Sequence, residues 1–221
     1  MPRETLQERT IRAGQIMAVL RTVYYNAHCE LQFNNPLELL VATILSAQCT
    51  DKRVNMVTKV LFKRHQTARD YARANIEELE ELVKTTGFFR NKARNIKACC
   101  EQLVEKHGGE VPRTMAELHA LPGVGRKTAN VVLGNAFGIQ SGIVVDTHVT
   151  RLANRLGLTR EKDAVKIEMA LTPLVPQAEW TLFSHWLIWH GRRRCGARKP
   201  DCGLCELASL CPRLGVRTGK P

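Results

Sequence analysis

Long apolar runs are missing from this 221-residue chain. The longest, Leu37 to Ala47, is broken by Glu38 and is too short to cross a bilayer, so it reads as a buried helix and no membrane partner is expected. The N-terminus mixes both signs of charge and lacks the uninterrupted apolar core of a secretory signal, which argues for a cytoplasmic protein and against a disulfide framework. Pro-rich linkers, low-complexity tracts and internal repeats are also absent; composition shifts only near residue 140 and again in a basic, cysteine-bearing tail. Strand-type alternation is equally scarce. The one β-branched run, GIVVDTHV, is a few residues long without a partner and reads as an extended connector into a helix. Acidic residues are the minority: 33 Lys and Arg against 21 Asp and Glu leave a formal charge of +12, which points to a polyanionic partner, nucleic acid first.

What is present is helical periodicity in nearly every segment. NNPLELLVATILSAQ offers Asn35 as N-cap and Pro36 at the first helical position, with Leu40, Val41, Ile44 and Leu45 as one stripe. ANIEELEELVKTTG starts at Asn75, with Glu78 at capping-box spacing, and stops at Gly87. RNKARNIKACCEQLVEKHGG closes on a glycine pair. Thr114 and Glu117 again have capping-box spacing at the start of TMAELHAL, and a second helix follows the PGVG turn as far as Gly138. The pattern predicts an all-α, two-lobed architecture.

The turn in ALPGVGRKTANVVL, residues 120 to 133, carries the first chemistry. Gly123 and Gly125 permit positive φ and close approach of another chain, and the amides after them belong to the first turn of a helix, where they can hold a phosphate. A Walker loop or a Rossmann fingerprint would need a longer glycine span or a preceding strand; neither is here. The phosphate is then part of a nucleic-acid backbone, unless the glycines serve only an ordinary helical hairpin. The tail supplies the second. CGARKPDCGLCELASLC spaces Cys195, Cys202, Cys205 and Cys211 as C-x6-C-x2-C-x5-C, a four-thiolate metal site. Only Cys202 and Cys205 form the close knuckle typical of zinc, so the spacing leaves zinc open and favours iron-sulfur. Residues 186 to 221 hold Arg192, Arg193, Arg194, Arg198, Lys199, Arg213, Arg217 and Lys220 against Asp201 and Glu206.

LPGVGRKTANVV followed by VDTHVTRLANRLGL resembles the helix-hairpin-helix, Gly/Pro-rich loop and aspartate of the HhH-GPD DNA glycosylase superfamily, and the chain is similar to the bacterial endonuclease III family over nearly its full length. The resemblance implies a six-helix barrel lobe at 28–139 containing the helix-hairpin-helix (about 114–137), and an iron-sulfur cluster lobe at 1–27 and 140–221 (cluster loop 195–211), with DNA in the cleft between. It implies a monomeric base excision repair enzyme of the bacterial cytoplasm and nucleoid, a DNA N-glycosylase and AP lyase acting on double-stranded DNA with oxidised pyrimidines or abasic sites. Lys127 would be the nucleophile and Asp146 its catalytic partner, with a phosphate-contacting cation and a helix N-cap as the plainer readings of the two. An ordinary lysine amine, with a pKa of about 10.4, is almost wholly protonated at neutral pH, so some activation is needed. Cys195, Cys202, Cys205 and Cys211 would hold a [4Fe-4S] cluster. Gln48 would fill the gap left by an extruded nucleotide and Phe88 would wedge the opposite strand, although alone the one reads as a helix-end polar residue and the other as a core aromatic. Leu121, Gly123, Gly125, Arg126, Thr128, His148, Arg198 and Lys199 would contact DNA, with His148 an orienting or packing group and not a catalyst. The rivals are a monofunctional mismatch glycosylase, against which Lys127 speaks, and a non-catalytic DNA-binding or redox-sensing cluster protein.

Overall fold

The computed structural model describes residues 4–216, so Arg217 and Lys220 of the basic tail lie outside the described residues. Among the described residues, eleven α-helices and three short 3-10 turns make up the regular structure and no strand occurs, only an isolated bridge between Cys195 and Pro200. None of these helices is long and apolar enough to cross a membrane. The chain divides into two compact units: Cys29–Ser141, and the chain up to His28 joined with that from Gly142 onward.

The first unit holds α2 (Pro36–Leu45), α3 (Asp51–Arg64), α4 (Ala68–Arg73), α5 (Ile76–Val83), α6 (Phe89–His107), α7 (Met115–His119) and α8 (Arg126–Phe137). This is one helix more than the six-helix lobe implied by the resemblance; the shortest is the five-residue α7, the first arm of the hairpin. Asn35 caps α2 by accepting the Glu38 amide, with Pro36 following as expected. The predicted stripe on α2 is too narrow, because Leu39, Ala42 and Thr43 are buried as well and the helix is surrounded. Asn75 caps α5 through the Glu78 amide, but the Glu78 carboxylate pairs with Arg64. The long α6 lies against α2, α4 and α5 and buries Lys92, Ala93, Ile96, Cys99, Cys100 and Leu103, one stripe at helical spacing. Each fully buried Leu or Ile in such a stripe contributes about 1.5–3 kcal/mol.

The second unit holds α1 (Leu6–Val23), α9 (Thr147–Arg155), α10 (Ala164–Leu171) and α11 (Trp180–Arg193). Its core gathers Ile16 and Leu20 of α1, Val149 and Leu152 of α9 and Phe183, Trp186 and Leu187 of α11. The GIVVD part of GIVVDTHV is the connector as read, ending in Asp146, the cap of α9, while Thr147–Val149 already belong to that helix. Ser184 Oγ fixes it by accepting the Val144 amide at 2.9 Å.

Candidate active site and metal centre

The hairpin begins where α7 ends. Leu121 donates its amide to the Leu118 carbonyl and accepts the Val124 amide, each at 3.1 Å, which closes the turn. Its side chain is 2% exposed in the core, so Leu121 anchors the hairpin from inside and leaves its main chain for the expected DNA contact. Gly123 has φ +75°, and a Cβ there would lie 2.8 Å from Cβ of Asn95 on α6. Two independent reasons thus require glycine. Gly125 differs from the expectation: it is extended (φ −86°, ψ 172°), a Cβ added there would meet nothing within 4 Å, and it caps α8 without a side chain. The amides of Arg126, Lys127 and Thr128 therefore start α8 with no side-chain cap, ready for an anion. Arg126 and Lys127 are exposed, whereas the Thr128 side chain is buried, leaving its backbone amide as its contribution.

Asp146 is the N-cap of α9, its Oδ1 accepting the Val149 amide at 2.8 Å. The plainer reading of this residue is therefore true, and the cap uses Oδ1 alone. Lys127 and Asp146 belong to different units. Two residues on from the cap, His148 Nδ1 lies 3.2 Å from Arg151 Nη2, and a Cβ on Gly191 would come within 2.9 Å of the same nitrogen. Facing a guanidinium, Nδ1 acts as acceptor, and burial pushes the imidazole below its ordinary range. His148 packs against Arg151 and Gly191.

Cys195, Cys202, Cys205 and Cys211 line one pocket, walled by Leu152, Leu156, Leu207 and Ala208. All four are unpaired thiols. Donors and acceptors surround the sulfurs: Arg155 Nη1 donates to Cys195 Sγ at 3.3 Å, the Arg213 amide donates to Cys211 Sγ at 3.4 Å, and His190 Nε2 stands 3.5 Å from Cys205 Sγ. Among the described residues no group of three or more His, Cys, Asp or Glu side chains is arranged to hold a metal ion. The loop itself is pinned by Arg194, which pairs with Asp201 at 2.8 Å and Glu206 at 2.9 Å. The two acids of the tail thus both pair with one arginine. Arg193 lies 3.9 Å over the Trp189 ring. Arg198 and Lys199 stay exposed in the turn closed by the Cys195–Pro200 bridge.

Gln48 is exposed in the turn after α2, with φ +51°. Phe88 precedes α6 with φ +49° and is 67% exposed, which excludes the core-aromatic reading. Both are non-glycine residues held in left-handed backbone, a conformation that costs free energy and marks a surface the fold has shaped.

Residues 41–177 match the family described as "HhH-GPD superfamily base excision DNA repair protein". Endonuclease III of Synechocystis sp. is 56% identical over 201 residues, covering 91% of this chain and 92% of the relative. The chain belongs to the endonuclease III family. A solved non-covalent endonuclease III–DNA complex is 45% identical with a TM-score of 0.89, covering 92% of this chain and 95% of that one. A trapped endonuclease III–DNA covalent intermediate is 47% identical with a TM-score of 0.86, covering 91% and 96%. As an endonuclease III family member the chain is a base excision repair enzyme, a DNA glycosylase and AP lyase. Around the expected residues stand others that the sequence did not single out as positioning groups: Asn95 against Gly123, Arg151 and Arg155 on α9, and Lys92 inside the first unit. Their signal is non-local, since each acts on a segment distant in the chain.

Proposed function

We propose that the enzyme removes oxidised pyrimidines from double-stranded DNA and then cleaves 3′ to the abasic site through a lysine Schiff base. The observation that carries this reading is an exposed lysine, Lys127, in the uncapped first turn of α8, beside amides suited to a DNA phosphate. The Lys127 amine attacks C1′ of an extruded nucleotide as the base leaves with the electrons of its glycosidic bond, and cleavage of C1′–O4′, with O4′ taking up a proton as the sugar ring opens, gives the iminium. Abstraction of a C2′ proton then allows β-elimination of the 3′ phosphate, a step closed to an enzyme that uses water as nucleophile. Asp146 accepts the proton released by the amine and stabilises positive charge developing on the sugar. Gln48 and Phe88 enter the duplex, where their exposed, fixed backbone supports insertion as the target base leaves the stack. Borohydride with lesion-containing duplex tests the reading: a covalent adduct lost in Lys127→Gln is expected, and no adduct from the intact protein overturns it.

The four cysteines fit a [4Fe-4S] cluster. A lone zinc needs its thiolates converging at about 2.3 Å on one centre. Four thiols around a common apolar pocket suit a group in which each thiolate holds its own iron. Cys195, Cys202, Cys205 and Cys211 would hold it with their coordination filled by protein, so it supplies rigidity to the loop bearing Arg198 and Lys199 and no hydrolytic water. Purified protein should contain iron and sulfide and be coloured; a colourless zinc protein would refute this. The two units are then the barrel and cluster domains of a monomer acting on nucleoid DNA in the cytoplasm.

A further inference from the structure

Lys92 takes no part in the chemistry above, yet its side chain is 3% exposed in the interior of the first unit. Both partners of its ammonium are main-chain carbonyls: Nζ donates to Leu45 O at 2.8 Å and to Thr86 O at 2.7 Å. A buried cation is costly, and burial lowers the Lys92 pKa from its ordinary value. A leucine or methionine in its place would fill the core without that cost, so the retained charge calls for a positional reason.

The two carbonyls supply it. Leu45 is the last residue of α2, with an end carbonyl that no further helical turn can satisfy, and Gln48 stands three residues beyond. Thr86 ends the 3-10 turn Lys84–Thr86, two residues before Phe88. Only three non-glycine residues among those described have positive φ, and two of them, Gln48 and Phe88, follow directly on the segments that Lys92 holds. Such conformations persist where surrounding structure over-determines them. The Lys92 amide also donates to the Phe88 carbonyl at 3.1 Å, so one residue grips the second segment twice.

We propose that Lys92 is a positioning residue that locks the Gln48 and Phe88 turns together, presenting both side chains to the duplex at a fixed separation. This rests on the reading that those two side chains enter DNA. The locked pair unstacks the target in one step; without the tie each turn relaxes separately and nucleotide extrusion slows, while chemistry on an already accessible sugar does not.

The test compares Lys92→Met with the parent on two substrates: single-turnover base release from a lesion duplex with 2-aminopurine beside the lesion, and cleavage of an abasic site in single-stranded DNA. The expected result is a loss of about tenfold or more in duplex base release and in the 2-aminopurine rise, with single-strand cleavage within about twofold. Lys92→Arg, which keeps the donors on a differently shaped head, should show the same selective loss to a smaller degree and serves if the methionine variant does not fold. Adding Lys92→Met to Phe88→Ala should cost less than Lys92→Met costs in the parent, because part of its effect runs through Phe88 and only the part through Gln48 remains. Equal losses on both substrates, or no loss in a folded variant, overturn the proposal. If Gln48→Ala and Phe88→Ala leave extrusion unchanged, the insertion reading itself fails and takes the proposal with it; if they abolish extrusion and folded Lys92 variants do not slow it, the Lys92 proposal alone falls.

Discussion

Because Oδ1 of Asp146 accepts the Val149 amide, the side chain starts α9 as well as serving the proposed chemistry, and a simple truncation would confound the two. Asparagine caps a helix about as well as aspartate but cannot take up a proton or offset a positive sugar. Asp146→Asn should therefore melt close to the parent while adduct formation falls about 100-fold or more. Asp146→Ala should lose the cap too, about 1 kcal/mol. An Asn variant as active as the parent would reduce Asp146 to a cap. His185 shows a second residue-scale effect. Burial, with His28 and Arg192 adding to it, pushes its imidazole down to about 4 from 6.5. Between those values the unfolded chain binds a proton that the folded chain refuses, so stability rises with pH across this window and is lost as pH falls from about 6.5 toward 4. The loss reaches about 3 kcal/mol, at 1.36 kcal/mol per pKa unit. Urea unfolding at pH 5 and pH 7 should differ less in His185→Gln than in the parent; equal differences would remove His185 as the cause.

At the scale of elements, the hairpin between α7 and α8 separates two glycines that look alike in the sequence. Gly123→Ala must place a Cβ against Asn95 and hold it at positive φ, a cost of roughly 1–2 kcal/mol for the backbone alone. Gly125→Ala faces open space in extended backbone, so its melting temperature should stay near that of the parent, and any loss should fall on DNA affinity, where the new methyl stands before the first turn of α8. Equal destabilisation of both variants would contradict the geometry. The contrast shows what a sequence carries. Helix ends written in neighbouring residues, Asn35 with Pro36 or Gly138 after Phe137, are legible because their hydrogen bonds are local. The cysteine spacing is legible for the same reason. Long-range relations are not: that α2 is buried on every side, that Leu121 points inward, or that Lys92 spans Leu45 and Thr86 depends on chain segments brought together by packing. Phe88 is the sharpest case, since hydrophobicity argues for the interior and only the left-handed turn at Gly87 and Phe88 turns it outward.

For the whole molecule, the formal charge of +12 is a sum that conceals how the cations are used. In the tail, Arg194 is held by Asp201 and Glu206, Arg193 lies over Trp189, and Arg155 of α9 donates to the carbonyls of Gly196 and Ala197 at 2.8 Å, bracing the turn beneath Arg198 and Lys199. Cations that brace the loop release no counterions from DNA; those standing free on it do. Each phosphate neutralised on B-DNA contributes about 0.9 to the slope of log affinity against log salt. Replacing both Arg198 and Lys199 by Ala should therefore make the slope shallower by about 1.8, and weaken lesion-bearing and undamaged duplexes by similar factors, because contacts to phosphate carry no base information. Arg155→Met should leave both free cations in place but release the turn that aims them, so its slope should shorten less while affinity falls. Titrations of both duplexes across a salt series decide the matter: an unchanged slope in the Arg198/Lys199 double variant would mean that the braced turn does not face the phosphates and that the polyanion is held elsewhere on the surface.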